Sequence, residues 1–299
     1  MKHGRAYRLA ALLLAALWLC GCTASGTASG GGGYQIPPFR GDTFSEADAE
    51  DGGGIRVDLS QLEQGIVGVQ VTSDARLKFQ VVHGEEKYNY DLPGDGMTVF
   101  FPLNMGDGEY TFRLMEQVED TRYSCSWSET RTVTLQDAFQ PFLRPSQIVP
   151  YTEQSACVQK ARELAADCDT DSELAAAVYR FLVENIRYDE EKAQTVTSGY
   201  LPDPDATLAD GMGICFDYAS LAAAMLRSMG VPCKVITGYV GETTYHAWNS
   251  FYLQSEGWVT AEIRVSVDQW QQVDITFAAG GVPDGQAAVD DSYTTRYVY

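Results

Sequence analysis

From Ile55 to Leu135 apolar and polar positions alternate, as in Val67, Val69 and Val71, Leu77, Phe79 and Val81, Tyr88, Tyr90 and Leu92, and Tyr110, Phe112 and Leu114. A period of two marks strands with one buried face. Turn clusters such as Pro93-Gly94-Asp95-Gly96 and Gly106-Asp107-Gly108 separate the runs, so residues 53–138 are expected to form a small antiparallel β-sandwich. Phe139 to Pro145 is a proline-stiffened connection, after which the spacing becomes helical. Thr170-Asp171-Ser172-Glu173 has the spacing of a capping box, and Leu174, Ala177, Val178, Phe181, Leu182 and Ile186 continue it as one apolar stripe. A second helix is expected over Phe216 to Ser228, closed by Gly230 and Pro232. Strands are expected at Lys234 to Tyr239, Tyr245 to Leu253, Trp258 to Val265 and Gln271 to Phe277. Helices followed by an antiparallel sheet define an α+β domain over residues 146–299.

The first residues change the picture of where this chain resides. Lys2, Arg5 and Arg8 precede an apolar run from Leu9 to Leu19, shorter than the roughly 20 residues a spanning helix needs, so residues 1–21 read as a signal peptide. Leu19-Cys20-Gly21-Cys22 resembles a bacterial lipobox, which implies cleavage before Cys22 and lipid attachment to it. The expected location is extracytoplasmic, with the lipid as the link to the membrane. Residues 22–52, rich in Gly, Ser and acidic side chains, are expected to be a flexible tether. The mature chain would carry 18 basic against 41 acidic side chains, a net charge of −23. Such a balance disfavours nucleic acid as a partner. Of seven cysteines, Cys20 leaves with the signal and Cys22 carries lipid, so Cys125, Cys157, Cys168, Cys215 and Cys233 remain. An odd number in an exported protein points to a free thiol; whether Cys157 and Cys168 pair stays open.

Candidate chemistry centres on Gly211-Met212-Gly213-Ile214-Cys215, which puts a thiol where a glycine-containing loop enters a helix. Unpaired N–H groups and the helix dipole favour a thiolate there. His246, in Tyr245-His246-Ala247-Trp248-Asn249, is the one histidine after His83, and imidazole is the side chain that accepts a proton near neutrality. His83 stands beside Gly84 with no accompanying ligand cluster and reads as a turn residue.

Together, Gly213-Ile214-Cys215-Phe216-Asp217-Tyr218-Ala219, Leu226 to Pro232, Gly238-Tyr239 and His246-Ala247-Trp248-Asn249 resemble the core of the transglutaminase-like superfamily. The resemblance implies a papain-like Cys, His, Asp triad, with Cys215 as nucleophile and His246 as base. Two acids compete for the third place, in Trp258-Val259-Thr260-Ala261-Glu262 and Trp270-Gln271-Gln272-Val273-Asp274. Thr276 follows Asp274 as in the family, so Asp274 is the expected orienting acid, with Gln272 to Thr276 returning beside Tyr245 to Asn249. The implied reaction is acyl transfer from an amide of a peptide or protein through a cysteine thioester, hydrolysis being favoured over cross-linking. No metal or cofactor is implied. The alternative is a non-catalytic envelope module that keeps the fold as a scaffold.

Overall fold

The computed structural model describes residues 33–241, 244–266, 269–274 and 293–299, with side chains from 262 to 274 left undescribed. The signal peptide and Cys22 lie outside the described residues. Eight strands come first: β1 (Glu50–Asp51), β2 (Ile55–Asp58), β3 (Ile66–Val71), β4 (Leu77–His83), β5 (Glu86–Leu92), β6 (Val99–Pro102), β7 (Gly108–Glu119) and β8 (Arg122–Val133). They make two four-stranded sheets, ordered β1-β2-β3-β6 and β5-β4-β7-β8. The alternating residues fill the space around them: Val67, Val69, Phe79, Val81 and Phe112 are buried, and the Phe79 and Phe101 rings stack at 4.8 Å. His83 ends β4 with Nδ1 2.9 Å from the Glu109 carbonyl, a structural turn residue.

Helices follow: α1 (Ala156–Ala165), α2 (Asp171–Asn185), then the two-residue β9 (Arg187–Tyr188), α3 (Glu190–Thr195), α4 (Pro204–Asp210), the short β10 (Met212–Gly213) and α5 (Cys215–Ser228). The α2 terminus forms where the sequence placed it. Thr170 Oγ1 accepts from Glu173 N at 3.1 Å, and Glu173 Oε2 reaches back to Asp169 N at 2.7 Å. Helix α5 is the centre of the α+β part, since every residue from Asp217 to Ser228 is buried. One consequence is a buried cation: Arg227 donates to the carbonyls of Cys233, Arg144 and Tyr299.

Against α5 lies a five-stranded sheet of β11 (Cys233–Val240), β12 (Thr244–Leu253), β13 (Gly257–Ser266), β14 (Gln269–Asp274) and β15 (Tyr293–Val298), in the order β14-β13-β12-β11-β15. The α+β architecture with antiparallel sheets and a β-rich N-terminal part is thus as expected; β15 was not anticipated. The described residues from 33 onward pack as one compact unit. Val298 N donates to Tyr88 Oη at 3.0 Å and Gln147 Nε2 to the Asp91 carbonyl at 2.6 Å, tying the sheets of the two parts together.

The flexible-tether expectation for residues 22–52 is corrected over its second half. Tyr34 N donates to the Cys168 carbonyl at 2.7 Å, Tyr34 Oη to the Met229 carbonyl at 3.1 Å, and the buried Asp42 pairs with Arg144 at 3.1 Å. Composition misled because a few aromatic and charged anchors suffice to hold an otherwise loop-like strap against a folded surface.

Candidate active site

Cys215 is the first residue of α5, and the chain that delivers it is tightly built. Gly211 ends α4 at φ +61°, a left-handed turn that glycine adopts without strain. Met212 and Gly213 then pair in parallel with Arg187 and Tyr188, and Ile214 is extended before the helix starts. Gly213 has no room for a side chain: a Cβ would stand 2.7 Å from Asp217 Cβ and 3.2 Å from Thr207 Cγ2. Asp217 Oδ2 accepts from Ile214 N at 2.9 Å, which fixes the loop immediately before the thiol. Cys215 itself is partly exposed. Tyr188 lies beside it; burial first, then the negative charge available to Cys215 and Asp217, pushes that phenol above its usual range.

The histidine arrives on β12. Asn249 anchors this strand: its Nδ2 donates to the Ala219 carbonyl at 2.9 Å and to the Lys234 carbonyl at 3.1 Å, while Oδ1 accepts from Tyr179 Oη at 3.0 Å. Ala219 is one helical turn beyond Cys215. Cys215 and Tyr218 of α5 share one small cavity with Ala247, Trp248 and Asn249 of β12, Tyr179 of α2 and Ala261 of β13. The segment that follows His246 therefore forms a wall of the space beside the thiol. His246 stacks on Trp248 with ring centroids 6.3 Å apart and planes 16° from parallel, and alternation sets both on the opposite face of β12 from Asn249. His246 is directly across from Gly238, whose missing side chain admits the β15 backbone: a Cβ there would meet the Thr294 carbonyl oxygen at 2.1 Å.

Strand order corrects the expectation that Gln272 to Thr276 return beside Tyr245 to Asn249. The stretch 258–270, expected to make an excursion before that return, instead begins with β13 as the direct neighbour of β12, paired from Leu253↔Gly257 to Asn249↔Ala261. The return strand β14 pairs with β13 instead, with Glu262 across from Asp274. The reason is the turn between Leu253 and Gly257, short enough that consecutive antiparallel strands become neighbours. Glu262 thus lies on the strand next to the histidine's, and Asp274 one strand spacing, about 4.8 Å, further out. The side chains of both lie outside the described residues.

Sequence reasoning missed the surroundings of Asp217. This carboxylate is wholly buried, and besides Ile214 N it accepts from Lys192 Nζ at 2.7 Å and Tyr200 Oη at 2.5 Å. Its position three residues after the residue that enters α5 was the available signal. Among the described residues no group of His, Cys, Asp and Glu could hold a metal ion.

A thiol thus opens a buried helix that packs on an antiparallel sheet whose central strand carries a histidine, an α+β arrangement. Residues 158–263, about a third of the chain, match the family model of the transglutaminase-like superfamily. Over 144 residues the chain is 28% identical to an uncharacterised protein of Mycobacterium leprae, covering 44% of this chain and 49% of the relative. Over 159 residues it is 26% identical to the kyphoscoliosis peptidase of Mus musculus, covering 50% of this chain and 21% of that protein. The chain therefore spans about half of the first relative and about a fifth of the second. The crystal structure of red sea bream transglutaminase aligns at 12% identity with a TM-score of 0.29, covering 66% of this chain and 47% of that one.

Proposed function

We propose that the protein is an exported, lipid-anchored cysteine enzyme that cleaves amide bonds of peptides or proteins by acyl transfer. The observation that carries the proposal is the placement of Cys215: partly exposed, first in α5, and sharing a cavity with the strand segment after His246. In the proposed reaction the Cys215 thiolate attacks the amide carbonyl carbon and the C–N bond breaks. His246 hands the proton taken from the thiol to the departing amine, leaving a thioester. Water, deprotonated by His246, then releases the carboxylic acid and restores the thiol. The Cys215 backbone N–H, one of the unpaired donors of the first helical turn, is suited to the developing oxyanion.

A carboxylate completes the proposal by accepting the imidazole N–H and fixing its tautomer. Asp274 has the family's motif, whereas the strand order favours Glu262, which stands on the adjacent strand. Hydrolysis is preferred to cross-linking as the fate of the thioester. Anchoring is proposed through Cys22, from the lipobox resemblance and the length of the apolar run before it.

The test is trapping of the acyl-enzyme. A peptide amide with an electrophilic carbon should modify Cys215 at neutral pH, and both Cys215→Ala and His246→Ala should abolish the adduct and any peptide hydrolysis. A folded protein whose Cys215 reacts no faster than Cys125 would favour the scaffold reading.

A further inference from the structure

Two anions compete for one helix end in this site. Asp217 is the third residue of α5, wholly buried, and its Oδ2 takes the N–H of Ile214. A carboxylate there is stabilised by the same positive end of the helix dipole that a Cys215 thiolate would use. Left alone it would also oppose a second negative charge two residues away, and a buried unpaired carboxylate is costly in its own right. The chain supplies a counter-charge from outside the helix. Lys192 Nζ lies 2.7 Å from Asp217 Oδ2, and Tyr200 Oη donates to Oδ1 at 2.5 Å and accepts from Lys192 Nζ at 2.6 Å. Burial works against the Lys192 ammonium, but its bonds to Asp217 and Tyr200 prevail and raise it above the usual range, so it is charged at any pH at which the thiol titrates.

We propose that Lys192 is a positioning residue for the Cys215 thiolate: by neutralising Asp217 it leaves the α5 N-terminus free to stabilise the sulfur anion, while its bond holds the segment from α3 to Tyr200 against the nucleophile loop. This inference deepens the proposed function and rests on it. Other titratable groups around the thiol do not replace Lys192. Tyr188 on β9 and Tyr179 on α2 are phenols raised chiefly by burial, and Glu190 adds negative charge near Tyr188. On α4, Asp203 accepts from Ala206 N and Asp205 from Ala156 N and Cys157 N. His246 on β12 is the proton acceptor itself. Lys192 is thus the cation that meets Asp217.

The experiment is the pH dependence of Cys215 alkylation by iodoacetamide, read by peptide mass spectrometry with the exposed Cys125 as internal reference. Lys192→Met should raise the Cys215 midpoint by about one pH unit, tenfold less thiolate at any pH below it, and leave Cys125 unchanged. Lys192→Arg should keep the wild-type midpoint. Lys192→Met combined with Asp217→Asn, which buries no unpaired charge, should bring it back. An unchanged midpoint in Lys192→Met overturns the inference. If that single variant does not fold, the double variant decides: a midpoint near wild type supports charge balance, and one still raised by a unit overturns it. A wild-type Cys215 that titrates like Cys125 removes the proposed function, while the difference between variants still reports on Lys192.

Discussion

At the scale of single residues the chemistry is a choice among the five free thiols of the described residues, and surroundings separate them. Cys233 is wholly buried and pushed up to about 12 by burial; burial also raises Cys157, where Asp205 adds to the effect, and Cys168. These three are poor nucleophiles because the thiolate is the reactive form. Cys125 is exposed on β8, with its Sγ 3.2 Å from the Trp127 carbonyl, and no helix end stands behind it. Native alkylation at pH 7 should therefore modify Cys215 first and Cys125 second, and spare Cys157 and Cys233 until the protein is unfolded. Equal protection of Cys215 and Cys233 would contradict the partly exposed placement of Cys215 at the α5 terminus. The placement of Cys215 at a helix start and of His246 on a strand was legible in the sequence because local pattern determines both. Lys192 and Tyr200 were not: their partner Asp217 lies 25 and 17 residues away, and nothing local in either side chain announces the pairing.

At the scale of elements, what could be read was whatever local chemistry determines. The Thr170 cap, the α2 stripe and the extent of α5 depend on neighbours three or four residues away, and they formed as expected. Strand order depends on contacts that a periodicity of two does not encode. Two Trp-containing runs each end in an acid at the same spacing, so the pattern could not say which lies beside β12. Strand β15 was missed for the same reason, since its partner β11 is more than 50 residues earlier in the chain. The observed order makes the acids separable. A group on the adjacent strand can reach an imidazole that one two spacings away, nearly 10 Å, cannot. Glu262→Gln should then lower kcat/KM by two orders of magnitude or more with the fold retained, because the imidazole loses its orientation. Asp274→Asn should cost less than tenfold. The opposite ranking in purified, folded variants would return the triad position to Asp274 and imply that β14 shifts toward β12 in the working enzyme.

At the scale of the whole molecule, the strap of residues 34–45 joins parts far apart in sequence, and its own N-terminal continuation leads to the proposed anchor. If Cys22 is the lipid-bearing terminus, intact mass analysis of membrane-extracted protein should find the chain beginning at Cys22 with added acyl mass; an unacylated terminus elsewhere excludes the anchor. Asp42 is the buried charge of this strap. It accepts from Arg144 Nη1 at 3.1 Å, but Asp42 Oδ2 and Arg144 Nε find no hydrogen-bond partner among the described residues. Burial therefore outweighs the Arg144 attraction and lifts the carboxyl to about 6.

A folded-state value above the unfolded one, 3.8, means that the folded protein holds this proton more tightly. The contribution of Asp42 to stability is then fully present below about pH 4 and is lost as pH rises through about 6. A shift of about two units corresponds to at most about 3 kcal/mol. Comparing wild type with Asp42→Asn isolates this term from the many other carboxylates, because the amide mimics the protonated acid in shape and does not titrate. Chemical denaturation at pH 4 and pH 7 should show wild type losing up to about 3 kcal/mol relative to Asp42→Asn over that interval. Parallel pH profiles for the two proteins would mean that Asp42 is solvated or fully paired in solution, and that the strap does not lie against Arg144 as the structure has it.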